Sequence, residues 1–184
     1  MKLLSVNIGQ SQPIQAKSGQ SGIFKRPVSG PVWVGRLSLS GDHIVDVPTH
    51  GGPEQAVYLY TQPDYDHWSE RLGRALTPGT FWENLLISDL ESAAVGVRDR
   101  LRVGGALLEV ASARIPCVTL ATRMNDPEFV RKFREVGRPG FYARVLEEGA
   151  ALAGQDVTLE GRRPPGGPSV LDDFESFFAK LPTQ

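Results

Sequence analysis

The chain has 184 residues, enough for one domain with a full core and too few for two ordinary domains. Hydrophobic residues make up 40% and charged residues 22%, an ordinary globular balance rather than that of a disordered or membrane-embedded chain. Twenty basic against 21 acidic residues leave a net charge of -1, so no overall field draws the chain to nucleic acid or a membrane surface, and an anionic ligand must be held locally.

The first eight residues carry one basic side chain and an apolar run too short for a secretory leader, so they read as a first strand. Gly9 to Pro13 interrupts it as a loop. Ser21–Val28 reads as a short strand with two adjacent cations, and alternation forbids Lys25 and Arg26 from both facing the core. One can reach a cleft as a phosphate ligand; the alternative is a solvated strand edge. Ser29–Pro31 is a turn, and Val32–Leu39 a paired strand.

Ser40–Pro53 packs Asp42, His43, Asp46, His50, Gly51 and Gly52 into one loop, the kind of segment that carries function more often than packing. The Gly51-Gly52 pair suits close approach of backbone N–H groups to an anion. The spacing of these histidines and aspartates fits no helical histidine pair and no zinc pattern. Their alternative roles are struts and turn caps.

Glu54–Tyr60 reads as a buried strand. Pro63–Leu72 reads as a helix with Tyr65, Trp68 and Leu72 on its core face. Thr80–Ile87 reads as a strand in which Glu83 and Asn84 sit between apolar flanks, and buried polar groups require partners or a ligand. Asp99–Val110 is a hairpin turning at Gly104-Gly105.

Its second strand runs on to Arg114-Ile115-Pro116-Cys117, which holds the one cysteine of the chain. Pro116 ends the pairing, and Arg114 sets a permanent positive charge three residues before a thiol that needs such a field to ionise. The alternative is an inert, buried Cys117. A single cysteine also excludes an internal disulfide and agrees with a reducing, cytoplasmic setting.

Asp126–Val136 reads as a helix with Phe129, Phe133 and Val136 on one face. Gly137–Gly140 is a turn carrying Arg138, and Phe141–Leu146 and Asp156–Glu160 are closing strands. Residues 1–161 form the domain, 162–168 a Pro/Gly linker, and 169–184 a helical tail. The tail is capped by Ser169, and its apolar face of Leu171, Phe174 and Phe178 must pack on the same chain or on a second copy.

Taken in order, several segments resemble the MOSC family, the domain type found at the C-terminus of molybdenum-cofactor sulfurases, and within it the stand-alone bacterial YiiM-like members. They are Ile23–Val28, Gly41-Asp42 with Asp46, His50–Pro53 with Ala56-Val57, and Phe81 with Glu83–Leu85. Asp99–Leu101, Arg114 with Pro116-Cys117, and Gly140–Tyr142 with Arg144–Leu146 complete the set. Three departures stand out. The family usually has glycine at the positions of Trp82 and Ser40, and a Gln-Pro pair in place of Ser112-Ala113. Trp82 bears most on the pocket near Glu83 and Asn84.

The resemblance implies a mainly β, barrel-like fold with a few peripheral α-helices. It also implies a molybdopterin-type molybdenum cofactor with Cys117 as the catalytic metal ligand. Lys25, Arg26, Asp42, His50, Gly51, Gly52, Glu83, Asn84, Arg114 and Arg138 are the candidate cofactor-binding residues. Similar members reduce N-hydroxylated compounds such as hydroxylamino-purines; others are thought to transfer sulfur, which here would use a Cys117 persulfide. A non-catalytic binding module is the third reading. No GxGxxG fingerprint precedes a helix, so electrons are expected from a separate donor protein. A cysteine desulfurase is the expected partner of the sulfur carrier, and no intrinsic pyridoxal phosphate is expected. A homodimer is compatible with the sequence.

Overall fold

The computed structural model describes residues 1–15 and 19–180. The opening apolar run forms β1 (Leu3–Ile8), followed by three two-residue strands, β2 (Gln12–Pro13), β3 (Gln20–Ser21) and β4 (Arg26–Pro27). The expected Ser21–Val28 strand is thus broken. Gly22 passes so close to the His43 carbonyl that a Cβ would lie 1.9 Å from its oxygen, an approach only glycine allows. Alternation still holds at the cations, with Lys25 buried and Arg26 exposed.

β5 (Val32–Val34) is shorter than expected, because the chain turns at Gly35–Ser38 and lays Leu39 opposite Val34. Inside the polar loop one turn of helix forms, α1 (Val47–His50), and a 3₁₀ turn follows over Pro53–Gln55. β6 (Val57–Thr61) is buried at every position. It leads into α2 (Gln62–Leu72), whose first turn contains Pro63 and whose Asp64 N–H donates to the Thr61 hydroxyl at 3.3 Å.

β7 (Leu85–Ile87) starts five residues later than the sequence implies. The preceding Thr80–Glu83 segment is a turn in which Trp82 takes φ +76°, outside any strand conformation. β8 (Arg100–Val103) and β9 (Ala106–Ala113) form the expected hairpin. Next comes a helix that the sequence reading lacked, α3 (Val118–Met124), closed by Asn125 in the left-handed region. α4 (Phe129–Val136) and β10 (Phe141–Glu147) fall as expected, β11 (Gly149–Ala151) is additional, and β12 (Val157–Gly161) and α5 (Val170–Ala179) complete the chain.

The main sheet has eight strands in the order β12-β8-β9-β10-β6-β7-β1-β4, antiparallel except for β6 beside β7. β5 pairs with β11 and β2 with β3 in small separate ladders. Helices and strands thus agree with a mainly β protein carrying peripheral helices, but the barrel-like closure is not met. The ladder has two ends, β4 and β12; a bridge from Lys2 to Asp156 and hydrogen bonds such as Val157 N–H to the Met1 carbonyl at 2.9 Å tie the start of β1 to the start of β12. These local contacts are not a continuous ladder between the two end strands, which closure requires.

The helices stand on an aromatic core. Trp68 of α2 stacks on Phe133 of α4 at 5.6 Å, Phe81 stacks on Tyr60 at 4.8 Å, and Phe129 meets Trp68 at 5.2 Å. Each such pair adds about 0.5–1.5 kcal/mol beyond simple burial. Phe174 of α5 joins this core edge-on to Phe133, so the tail packs on its own chain. Ser169 and Asp172 form the capping box that starts α5, and the Asp173 carboxylate accepts the Ala113 N–H at 2.8 Å, tying the helix to the end of β9. Residues 181–184 of the expected tail lie outside the described residues.

Candidate functional site

Pairing of β9 with β10 stops at Ala113 opposite Phe141. The chain then crosses Arg114-Ile115-Pro116, where proline has no N–H to give a ladder, and Cys117 becomes the residue before α3. Its carbonyl accepts the N–H groups of Leu120 and Ala121 at 3.0 and 3.3 Å, while its sulfur is left to face a cavity.

That cavity, ≈ 490 Å³, is lined by Ser112 and Ala113 of β9, by the Ile115–Cys117 crossing and by three further parts of the chain. His50 and Gln55 come from the loop around α1, Tyr142 from β10, and Asp173, Phe177 and Lys180 from α5. Burial pushes the Cys117 thiol up, but His50 within hydrogen-bonding reach, the Arg114 charge and the Leu120 N–H more than offset it. The thiol ends at about 6 instead of 9.0. The lowered value favours the thiolate at neutral pH, and Cys117 is partly exposed to the cavity.

Arg114 is fully buried, and among the described residues none of its three guanidinium nitrogens has a hydrogen-bond partner. The Tyr142 phenol is near enough to favour the charged form, but no guanidinium N–H meets it in hydrogen-bond geometry. Its carbon lies 5.7 Å from the Tyr58 ring centre and 5.8 Å from that of Trp82. Ring faces partly compensate a buried cation but do not satisfy five N–H donors. Burial drives its affinity for the proton down, and the neighbouring tyrosines and Cys117 more than reverse this. Gln55 adds a second orphan, a buried side-chain oxygen without a donor. Unpaired buried polar groups of both kinds beside a thiolate mark a place where ligand atoms belong.

The other residues expected here divide in two. Lys25, Asp42, Glu83 and Asn84 form a separate, internally satisfied cluster. The Lys25 ammonium is ion-paired to Asp42, whose two oxygens also accept the Gly9 N–H at 2.8 Å and the Asn84 amide at 2.9 Å. Burial lowers the Lys25 pKa, with Asp42 opposing. Glu83 accepts the Tyr65 hydroxyl at 2.7 Å and the N–H groups of Gly79 and Phe81 at 2.5 and 3.2 Å. Burial nevertheless raises it to about 7.

Lys25 and Asn84 reach the site only through a cavity of ≈ 10 Å³ behind His50, which they line with Tyr58 and Trp82. Arg138 is committed to the fully buried Asp64 at 2.7 Å, and Arg26 is exposed on β4; neither lines the Cys117 cavity. Gly52 has φ +90°, the conformation that favours glycine, but the Gly51 N–H is taken by Val47 at 2.9 Å inside α1. The expected anion nest therefore loses one of its donors, because the loop closes as a helical turn. His43 and Asp46 do not join Cys117 either. Among the described residues no group of three or more His, Cys, Asp or Glu side chains is placed to hold a bare metal ion.

The sequence reading missed Gln55, Tyr142, Asp173, Phe177 and Lys180. The last three belong to the tail, and nothing in their spacing announces that α5 folds back beside β9.

A cysteine at the start of α3, a buried arginine without hydrogen-bond partners near it and a histidine at its side form a cysteine-centred candidate site. A model of the MOSC domain matches residues 46–158, more than half of the chain, and the chain belongs to that family. It is 37% identical to the uncharacterized protein YflK of Bacillus subtilis (strain 168) over 89% of this chain and 75% of that protein. It is also 31% identical to a protein named Reductase from Gibberella moniliformis (strain M3125 / FGSC 7600), over 79% of this chain but 26% of that longer protein. Among solved structures, YiiM from Geobacillus stearothermophilus superposes with a TM-score of 0.79 at 30% identity, covering 96% of this chain and 83% of that one. The chain is a YiiM-like member with the YiiM fold. Among the described residues no helix is long and apolar enough to cross a membrane.

Proposed function

We propose that this protein binds a molybdopterin-type cofactor in the Cys117 cavity and reduces N-hydroxylated small molecules there. The observation that carries the reading is a cavity-facing Cys117 near the buried Arg114 guanidinium, whose nitrogens have no hydrogen-bond partner among the described residues. A thiolate is a soft ligand suited to a soft metal centre that brings its other ligands with it. The absence of partners on Arg114 fits an anionic group better than a neutral one. When bound, the cofactor would supply a two-electron centre.

The chain's own residues do the rest. Cys117 would hold the metal, His50 and Arg114 favour the ionised sulfur, and Arg114 would balance negative charge. Tyr142 and Phe177 wall the substrate in, and His50 and Asp173 are titratable groups facing the cavity where an N–O oxygen must take up protons to leave as water. Electrons come from a separate donor protein. The named reductase among the relatives agrees with this chemistry in outline.

Incubation of metal-loaded protein with a hydroxylamino-purine and a chemical electron donor tests the reading. Wild type is expected to form the amine, and Cys117→Ser to fall to background. Equal turnover by both proteins would refute it. The partial exposure and low pKa of Cys117 also favour a second reading, a persulfide-bearing sulfur carrier served by a cysteine desulfurase. Mass spectrometry after exposure to such an enzyme should then find one added sulfur on Cys117, and an unchanged mass would dismiss it. An inert Cys117 is the weakest reading, because the sulfur faces a cavity rather than the core.

A further inference from the structure

Trp82 is the one buried aromatic residue among the described residues with positive φ, at +76°. A bulky side chain in that region is strained, and such strain persists only where the surroundings impose it. The surroundings do so here. Glu83 accepts the N–H groups of Gly79 and Phe81 from within the turn, and the Trp82 N–H donates to the Gly79 carbonyl at 3.2 Å. The indole is thereby pressed against the edge of His50 at 4.9 Å and lies 5.8 Å from the Arg114 carbon.

His50, Gln55 and Tyr142 line two compartments at once, the outer cavity of ≈ 490 Å³ and an inner remnant of ≈ 10 Å³ that Trp82 also lines. A space of that size holds at most one water molecule. We infer that Trp82 is a specificity-determining residue: its indole fills the inner half of one larger pocket, and this confines any ligand of Cys117 to the outer half under α5. The strained turn exists to aim the ring there. A smaller residue at this position would join the two compartments behind His50 and admit longer or bulkier planar groups to Cys117.

The inference requires Cys117 to face the cavity but not the cofactor assignment, and its test uses the metal-free protein. Rates of Cys117 alkylation are measured with N-ethylmaleimide and with the bulky N-(1-pyrenyl)maleimide, and the bulky-to-small ratio is compared among folded variants. Trp82→Gly is expected to raise the ratio at least five-fold, while Trp82→Phe, which keeps an aromatic wall, stays within two-fold of wild type. If Trp82→Gly does not fold, Trp82→Leu carries the test with a rise of at least two-fold. A residue that merely supported the fold would change both rates together. An unchanged ratio in a folded variant lacking the ring overturns the inference.

Discussion

Two clusters of buried polar side chains lie on either side of Trp82, and they differ in whether their atoms have partners. In the Lys25–Asp42–Asn84–Glu83 cluster Lys25 is ion-paired to Asp42 and Glu83 accepts hydrogen bonds from neutral donors, and the network stitches β1, the residue before β4, the polar loop and the approach to β7 together. In the second group the Arg114 guanidinium and the Gln55 oxygen have no hydrogen-bond partner among the described residues, and Gln55 lines the same cavity as Cys117, with Arg114 buried behind it. Residue types alone would assign both to binding. Partnering separates them: a satisfied network holds a fold together, and an unsatisfied one waits for a ligand.

The contrast is broken or sharpened most strongly by removing one charge from each cluster. Asp42→Ala leaves the buried Lys25 without its partner and should lower unfolding free energy in urea by about 3–5 kcal/mol. Arg114→Met removes a cation that has no partner to strand, so its stability should stay within about 1 kcal/mol of wild type or rise. Equal losses would mean that Arg114 is as structural as Asp42.

Next in size is the pH response of Glu83. Its folded pKa, about 7, lies above its ordinary 4.5, so the folded state holds the extra proton between those values. The stabilisation is full below pH 4.5 and is lost as pH rises through 7, a change of roughly 3 kcal/mol at ~1.4 kcal/mol per unit. Glu83→Gln should flatten this part of the wild-type curve, and identical slopes for the two proteins would contradict the assignment.

A smaller effect is expected at the sulfur. The pH-rate profile of Cys117 with iodoacetamide should have its midpoint near 6 in the wild type. Arg114→Met should move it upward, a rise of about one pH unit slowing alkylation at pH 7 by about two-fold, since the thiolate is the reacting form. A midpoint that stays put would remove Arg114 from the site. The smallest effect belongs to the cap of α5, where Ser169→Ala should cost about 1 kcal/mol of stability in thermal unfolding and loosen the wall carrying Phe177.

Much of this was legible in the sequence. The hairpin of β8 and β9, α2 with its proline, the capped tail helix and the placement of Cys117 after a proline-terminated strand all follow from local rules. α3 escaped notice because Val118, Thr119 and Thr122 are β-branched and weaken the helical pattern, while its stop signal, a left-handed Asn125, is a conformation rather than a motif. The strand expected from Thr80 failed because Glu83 is not a strand residue awaiting a ligand but the anchor of a turn. Lys25, Asp42 and Asn84 look like ligand residues in one dimension; only the fold reveals that they bind one another. Conversely, the tail residues Asp173 and Phe177 reach the cavity through the packing of Phe174 on Phe133, a contact between segments far apart in the chain.

The most direct test is the molybdenum content of protein purified from cells that make the cofactor, measured per folded chain for wild type, Cys117→Ser and Arg114→Met. Metal near one per chain in wild type, with at least a ten-fold loss in both variants while each stays folded, is the predicted result. A wild type without molybdenum, or variants that keep the wild-type content, would contradict the claim that the unpaired cluster is where the ligand binds.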